Sequence, residues 1–242
     1  GVQYALLDFR GRDEHILEFL GPARLRAFSA PSLAGLVSQL ARRTGIMPAP
    51  PDWVFEGGIL GIQGGLPFVC EMLDKMREAG AVMTGVWTQD WQGIRMTPTG
   101  KRLFWNWQAD DALYPKLKEE IEKQAALGTR WLGYLNPYFN AEGEQFRTAR
   151  ERGYLVKNRE GGDTMRLISE FTIGMLDLTH AEAREWYKGL IRDNLLRLGL
   201  RGWMADYGED VTADLVFADG RGGAALHNAF PRLWAQLNRE AV

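Results

Sequence analysis

The sequence predicts an α/β fold in which a parallel sheet forms the first half of a (β/α)8 barrel. Amphipathic stretches alternate with short apolar runs, glycines separate the two, and polar or aromatic residues follow several of the apolar runs. Strands that alternate with helices are typical of parallel βαβ units. Polar residues beyond every strand favour a barrel, because a barrel builds its site at the carboxyl ends of all its strands.

The predicted strands and helices follow one another in a regular order. The strands are expected at 58–62, 82–87, 130–135 and 201–205. The helices are expected at 67–79, 114–127 and 181–198, each followed by a glycine that can end it in the left-handed conformation. A smaller unit, 142–156 with 175–177, is placed between the third and fourth strands. The alternative is a doubly wound sheet, but no G-x-G-x-x-G motif follows the first strand.

The first 50 residues do not continue this pattern. Residues 2–9 and 16–20 are extended and apolar, 33–43 are predicted as a short helix, and Pro48, Pro50 and Pro51 indicate a boundary. We therefore divide the chain into 1–50, the tail of an N-terminal β-domain with a linker helix, and 51–242, the barrel half. A complete barrel takes about 250 residues, so we expect this chain to be incomplete.

Composition excludes several classes of function. With 29 Lys+Arg against 31 Asp+Glu, the net charge is −2, which argues against nucleic acid or a membrane surface as a partner. No run of about 18 apolar residues is present, so no membrane-spanning helix is predicted. The one cysteine, Cys70, cannot form an internal disulfide, which favours a reducing, cytoplasmic location.

Asp206 is the strongest catalytic candidate. It lies in the run GWMADYGED, directly beyond the last predicted strand. A carboxylate flanked by aromatic residues at the end of a buried strand is partly dry yet open to a ligand. Glycoside hydrolysis needs two carboxylates, one of them a nucleophile or base. At this spacing Asp206 is equally compatible with a solvated residue or a helix cap.

A second cluster follows the predicted strand 82–87. Tryptophan rings stack on sugars, while amides and carboxylates bind the hydroxyls. Trp87, Gln89 and Asp90 are therefore candidate binding residues. Arg102 and Trp105 are three positions apart, so one short helical or turn segment would aim both at a sulfonate or phosphate. The alternative is that the tryptophans belong to the core and the arginines are solvated.

Tyr138 and the histidines are weaker candidates. Tyr138 follows the third predicted strand and either faces the same pocket or packs on the loop. His180 and His227 stand alone, without a partner at metal-ligand spacing, so no metal site is predicted.

The runs WTQDWQGIRMTPTGKRLFWNW, LGYLNPY and GWMADYGED together resemble glycoside hydrolase family 31. Within that family they are most similar to the sulfoquinovosidases, and the resemblance covers nearly the whole stretch 51–242. It implies a β-sandwich domain before a (β/α)8 catalytic barrel. It also implies a retaining α-glycosidase that uses no cofactor and acts on a small-molecule glycoside.

The resemblance assigns roles to individual residues. It places Asp206 on the family's nucleophile, and Gln89, Arg102 and Trp105 on the positions that bind the sulfonate. In most α-glucosidase relatives an Asp stands in place of Gln89. A carboxylate there would repel an anionic headgroup, whereas a neutral amide can donate to it.

The second catalytic carboxyl group is not identified in the sequence. In the family it lies well beyond the nucleophile, and Asp90, Asp177 and Glu209 do not match its position. We therefore expect the acid/base residue to lie outside this sequence and the chain alone to be inactive. The alternatives are a family 31 α-glucosidase acting on neutral α-glucosides and a non-catalytic carbohydrate-binding fragment.

Overall fold

A computed structural model describes residues 5–22, 24–163, 165–167 and 171–242. The chain forms two compact units, residues 2–51 and 52–242. In the described part of the chain, no helix combines the length and the apolar character needed to cross a membrane.

The smaller unit contains a hairpin and a helix. Strands β1 (Ala5–Asp8) and β2 (Ile16–Phe19) pair antiparallel. Helix α1 (Leu33–Thr44) begins after Ser32, whose hydroxyl accepts the amide of Gly35 at 3.2 Å. The helix and the extended segment expected at 16–20 are present, as is the described part of the segment expected at 2–9, whose residues 2–4 lie outside the described residues. That this unit ends a β-sandwich domain, and that the domain boundary lies at residue 50, stay predictions.

The larger unit is built on a four-stranded parallel sheet. Its strands lie in the order β3–β4–β7–β11, so each strand pairs with the preceding parallel strand of the chain. A doubly wound sheet reverses this order at a switch point, and these strands do not reverse. The predicted half-barrel sheet is therefore confirmed, with strands β3 (Gly58–Gly61), β4 (Met83–Trp87), β7 (Arg130–Leu135) and β11 (Trp203–Ala205).

Three helices of this unit lie at the predicted positions, and two further helices follow near the end of the chain. The three are α2 (Leu66–Glu78), α3 (Leu117–Ala126) and α5 (Ala181–Leu190), and the two further helices are α6 (Gly223–Leu226) and α7 (Phe230–Glu240). A short 3₁₀ turn, Asp52–Val54, precedes β3. The φ angles of Gly80, Gly128 and Gly199 are 83°, 85° and 109°, as expected of glycines that end helices. The α5 helix does not continue regularly to residue 198 but becomes a π-helix over Ile191–Leu196.

Two small antiparallel sheets inserted between the barrel elements were not predicted. The hairpin of β5 (Ile94–Thr97) and β6 (Gly100–Leu103) lies between β4 and α3. After β7, a three-stranded antiparallel sheet is formed by β8 (Tyr138–Asn140), β9 (Met165–Leu167) and β10 (Phe171–Met175), with α4 (Glu144–Glu151) between its strands. The prediction that one short helical or turn segment holds both Arg102 and Trp105 is therefore wrong, because Arg102 lies in β6 and Trp105 lies in the loop that follows.

The core explains much of the unusual tryptophan content. Trp91, Trp107, Trp131 and Trp234 are each at most 2% exposed, as the core alternative expects. The helix face predicted for 67–79 is only partly buried: Phe68 is 43% exposed. Its ring packs over Gly64 at the helix N-terminus, where a Cβ would come within 2.7 Å of it.

Candidate active site

The carboxyl ends of the four parallel strands place polar side chains at one edge of the sheet. Gln63, Gln89, Asn136 and Asp206 each lie one or two residues beyond a strand. Parallel strands pointing the same way bring such residues to one rim, which is where (β/α)8 barrels build their sites.

Asp206 is fixed at this rim through its backbone and its side chain. Its amide donates to the carbonyl of Leu135 at 2.8 Å, extending the pairing of β11 with β7. Its carbonyl accepts the indole N–H of Trp234 at 3.1 Å, and its carboxylate Oδ2 accepts the hydroxyl of Tyr134 at 2.7 Å. The side chain is half-buried. The helix-cap alternative is wrong, because the next helix begins only at Gly223.

Tyr134 belongs to a buried hydrogen-bonded series that we did not predict. The amide of Asn136 donates to the Tyr134 hydroxyl at 3.2 Å, and its carbonyl oxygen accepts the backbone N–H of Tyr138 at 2.9 Å. Burial, reinforced by the bond to Asp206, raises the pKa of Tyr134 far above its usual range, so its hydroxyl stays protonated. The sequence signal that could have identified Tyr134 is its position near the carboxyl end of the predicted strand 130–135. In the structure this strand pairs with β11, the strand that precedes Asp206.

Three aromatic rings pack beside the nucleophile candidate. The ring of Tyr207 lies 5.6 Å from that of Trp105 and 5.4 Å from that of Tyr138, and Trp105 and Tyr138 are 6.0 Å apart. Trp105 and Tyr207 have φ angles of 52° and 59°, in a region that residues other than glycine rarely adopt. Such strained conformations cluster at functional sites. The structure thus brings Trp105 against the residue that follows Asp206.

Tyr138 is the most buried member of this cluster. It is fully buried, and its hydroxyl donates to the Asp210 carboxylate at 3.1 Å. Its sequence position left two arrangements open, a ring that faces the pocket and a ring that packs within the protein, and the structure shows the second. A direct contact between Tyr138 and a substrate stays a prediction.

A cavity of about 170 Å³ lies on the other side of the rim, beside the β5–β6 hairpin. Lys101 and Arg102 contribute two cationic side chains to it, and Lys101 was not among our candidates. Gln63 also lines the cavity, and its amide donates to the carbonyl oxygen of Gln89 at 2.7 Å. This bond orients the Gln89 side chain and leaves its NH2 group as the donor for a further partner.

Asp90 and Trp87 are engaged within the protein. Asp90 is 1% exposed, and its carboxylate accepts the amide of Gly64 at 2.8 Å and the hydroxyl of Tyr114. It therefore joins the segment after β3 to the one that precedes α3. The indole N–H of Trp87 donates to the carbonyl of Gly133 at 2.8 Å. For both residues, a direct role in substrate binding stays a prediction.

No metal site is found in the described parts of the chain, where no three His, Cys, Asp or Glu side chains come together closely enough to hold an ion. The histidines that the sequence left unassigned have structural contacts: His180 caps α5, and His227 bonds to the carbonyl of Val211 at 2.7 Å.

Comparison with known proteins places this geometry in context. The chain is 39% identical over 241 residues to a sulfoquinovosidase of Agrobacterium fabrum and 40% identical over 240 residues to one of Escherichia coli. Both alignments cover 99% of this chain and 36% and 35% of the relatives, so the chain spans about a third of the length of the curated relatives it matches.

Solved structures agree. A family 31 sulfoquinovosidase from E. rectale, in complex with an aza-sugar inhibitor, superposes with a TM-score of 0.83 at 39% identity, over 88% of this chain and 32% of that one. A family 31 alpha-xylosidase from a soil metagenome has a TM-score of 0.70 at 21% identity, over 88% of this chain and 31% of that one, and shows the shared fold alone.

A family model matches residues 49–242, four-fifths of the chain and all of its parallel sheet. Its description is the TIM-barrel domain of the glycosyl hydrolases of family 31. The sheet order and the rim residues described above fit that architecture, and the chain belongs to glycosyl hydrolase family 31.

Proposed function

We propose that this chain is part of the catalytic barrel of a retaining α-glycosidase that cleaves sulfoquinovosides, such as sulfoquinovosyl glycerol or related sulfolipid-derived glycosides. The observation that carries the proposal is the position of Asp206: half-buried at the rim, held by Tyr134, in a chain about 40% identical to sulfoquinovosidases over nearly its whole length. The partner is a small-molecule glycoside, and two carboxyl groups suffice for the chemistry without a cofactor.

In this mechanism Asp206 is the nucleophile. Its Oδ1 attacks the anomeric carbon while the bond to the leaving oxygen breaks, and a glycosyl ester of Asp206 forms. A second carboxyl group, about 5–5.5 Å away in retaining enzymes, protonates the leaving oxygen and then activates the water that cleaves the ester. Two inversions at the anomeric carbon give net retention.

We assign the acid/base role to a residue outside this sequence. Asp90 and Asp177 are buried, and both carboxylates are occupied by hydrogen-bond donors of the protein. Glu209 is exposed. With a good leaving group, which needs no proton, the first step requires Asp206 alone.

The cavity beside the hairpin is suited to an anionic headgroup. Arg102 and Lys101 supply positive charge, and Gln89 supplies a neutral amide where a carboxylate would repel the anion. A guanidinium has paired N–H groups that match the oxygens of a sulfonate. In this structure the Arg102 guanidinium donates to the carbonyl of Lys101 at 3.2 Å and to the hydroxyl of Thr99 at 3.1 Å, and we propose that a bound sulfonate replaces these partners. Trp105 does not line this cavity but is buried against Tyr207, so its contribution to headgroup binding with Gln89 and Arg102 is proposed from the sequence resemblance.

A burst assay tests the proposal on the chain itself. Dinitrophenyl α-sulfoquinovoside has a leaving group that departs without acid catalysis. Wild-type chain, although expected to be inactive in turnover, should therefore release one equivalent of dinitrophenolate and then stall as the ester. The chain with Asp206→Asn, which is similar in shape, serves as the control and should give no burst. A burst that survives in this variant, or none in the wild type, would reject Asp206 as the nucleophile.

The neutral analogue, dinitrophenyl α-glucoside, separates the two enzymatic alternatives. A sulfoquinovosidase should react faster with the sulfonated probe, whereas an α-glucosidase should prefer the neutral one. A non-catalytic fragment would bind a sugar in calorimetry and give no burst with either probe.

A further inference from the structure

We propose that Tyr134 and Asn136 are positioning residues for the nucleophile: they hold Oδ2 of Asp206 by a directed hydrogen bond and leave Oδ1 free to attack. This inference rests on the proposed function, because it assumes that Asp206 forms the ester. Neither residue belongs to the sequence-predicted site.

The direction of each hydrogen bond in this series is determined. The backbone N–H of Tyr138 can only donate, so the atom of Asn136 that it reaches, at 2.9 Å, is the carbonyl oxygen. The other end of the Asn136 amide is then the NH2 group, which donates to the Tyr134 hydroxyl at 3.2 Å. Because this bond occupies a lone pair of the Tyr134 hydroxyl oxygen, the hydroxyl proton points to Asp206 Oδ2, at 2.7 Å.

Burial makes the series rigid. Asn136 is fully buried and Tyr134 is 3% exposed. The backbone carbonyl of Asn136 accepts the hydroxyl of Tyr187 at 2.7 Å, which anchors the start of the loop after β7. Breaking the bonds of Asn136 would leave buried polar groups without partners, which opposes movement of the series.

The two strands and the hydrogen-bonded series have separate effects on Asp206. Pairing of Ala205 with Leu135 sets the backbone of β11 against β7. It does not fix the rotation of the Asp206 carboxylate, which the Tyr134 hydroxyl does. An attacking atom must approach the anomeric carbon in line with the departing bond, and a misplacement of about 1 Å can cost 100-fold in rate.

The test measures the burst of dinitrophenolate from dinitrophenyl α-sulfoquinovoside with Tyr134→Phe and with a matched control. Tyr134→Phe removes the hydroxyl and keeps the ring. We expect the burst rate at saturating probe to fall about 10- to 100-fold, while the half-saturating concentration changes less than about 3-fold. The control is Tyr154→Phe, because Tyr154 also donates to a carboxylate, Glu182 at 3.4 Å, on α5 outside the site. It should leave both quantities unchanged.

Asn136→Asp provides a second variant with the tyrosine intact. It replaces the NH2 donor by a carboxylate oxygen that competes with Asp206 for the Tyr134 proton. The burst rate should again fall, and circular dichroism should show whether the fold is retained.

The outcomes separate the inference from the proposed function. A wild-type burst rate in Tyr134→Phe overturns the positioning role and leaves the nucleophile assignment intact. An increase in the half-saturating concentration alone would also overturn the positioning role, because it would show that Tyr134 acts in binding the probe. Absence of a burst in the wild-type chain overturns the proposed function and this inference together.

Discussion

The nucleophile side of the proposed site lies on β7 and β11, two strands paired within the parallel sheet, whereas the headgroup side lies beside β5 and β6, which pair only with each other. On the nucleophile side, Tyr134 and Asn136 are buried and bonded in series. On the headgroup side, Lys101 and Arg102 are exposed. Under the proposed function, the barrel frame positions the reacting group and the inserted hairpin sets which sugar is accepted.

The two sides are connected at two places. Gln63 bonds to Gln89 across the ends of β3 and β4, and Trp105 packs against Tyr207, which follows Asp206. Because one side supplies the attacking carboxylate and the other the cations, substitutions on one side should nevertheless affect different steps from substitutions on the other.

The largest expected effect is on the nucleophile side. Asp206→Asn should lower the burst rate with either probe by at least about 1,000-fold, because the amide oxygen is a poor nucleophile. Asp210→Asn is the matched control, since Asp210 contacts the hydroxyl of Tyr138 and lies four positions further on. If Asp210→Asn abolished the burst and Asp206→Asn did not, the assignment would move to Asp210.

On the headgroup side the expected effect depends on the probe. Arg102→Ala should lower the burst rate with the sulfonated probe by about 10- to 100-fold, the range of a hydrogen bond to a charged group. With the neutral α-glucoside the rate should change less than about 3-fold. Lys101→Ala tests whether the adjacent cation contributes equally. Equal losses on both probes in Arg102→Ala would remove the sulfonate assignment.

The contrast between frame and hairpin also predicts a difference in local stability. Amides of β7, which is paired on both sides, should exchange with deuterium at least about 100-fold more slowly than those of β5 and β6. Hydrogen-exchange mass spectrometry of the unliganded chain measures this. Similar protection of the two regions would mean that the hairpin is as firmly held as the frame.

Much of the frame was predictable from the sequence, because apolar periodicity and helix-ending glycines encode it locally. The strand at 130–135 has its predicted bounds, and Gly80, Gly128 and Gly199 adopt the expected conformation. The β5–β6 hairpin was not predicted, although residues 94–97 alternate between apolar and polar and Pro98 and Gly100 are typical turn residues, because each strand is only four residues long.

Among the site residues, too, local sequence signals were predictive and contacts between distant parts of the chain were not. Asp206 was found because a carboxylate directly beyond a strand is a local signal. Its partner Tyr134 is 72 residues away in sequence, and only the pairing of β7 with β11 brings them together. The internal bonds of Asp90 to Gly64 and Tyr114 are likewise non-local, so the sequence showed a ligand-binding candidate without showing these contacts.

The last prediction concerns a residue outside both regions and reports on folding. Burial raises the pKa of the Cys70 thiol to about 11, with the Glu120 carboxylate adding to the shift. A raised thiol pKa lowers the thiolate fraction, so near pH 8 the folded chain should react with iodoacetamide about 100-fold more slowly than the unfolded chain. Variants at Tyr134 or Arg102 that keep this slow reaction have retained the fold around α2. Fast alkylation in a variant would show that its loss of burst reflects unfolding.

Peptide mapping of the trapped ester tests the central claim most directly. Wild-type chain is reacted with dinitrophenyl α-sulfoquinovoside, quenched in acid, digested and sequenced by tandem mass spectrometry. We expect one sulfoquinovosyl group, attached to Asp206. Attachment to Glu209, Asp210 or any other residue, or an unlabelled chain, would contradict it.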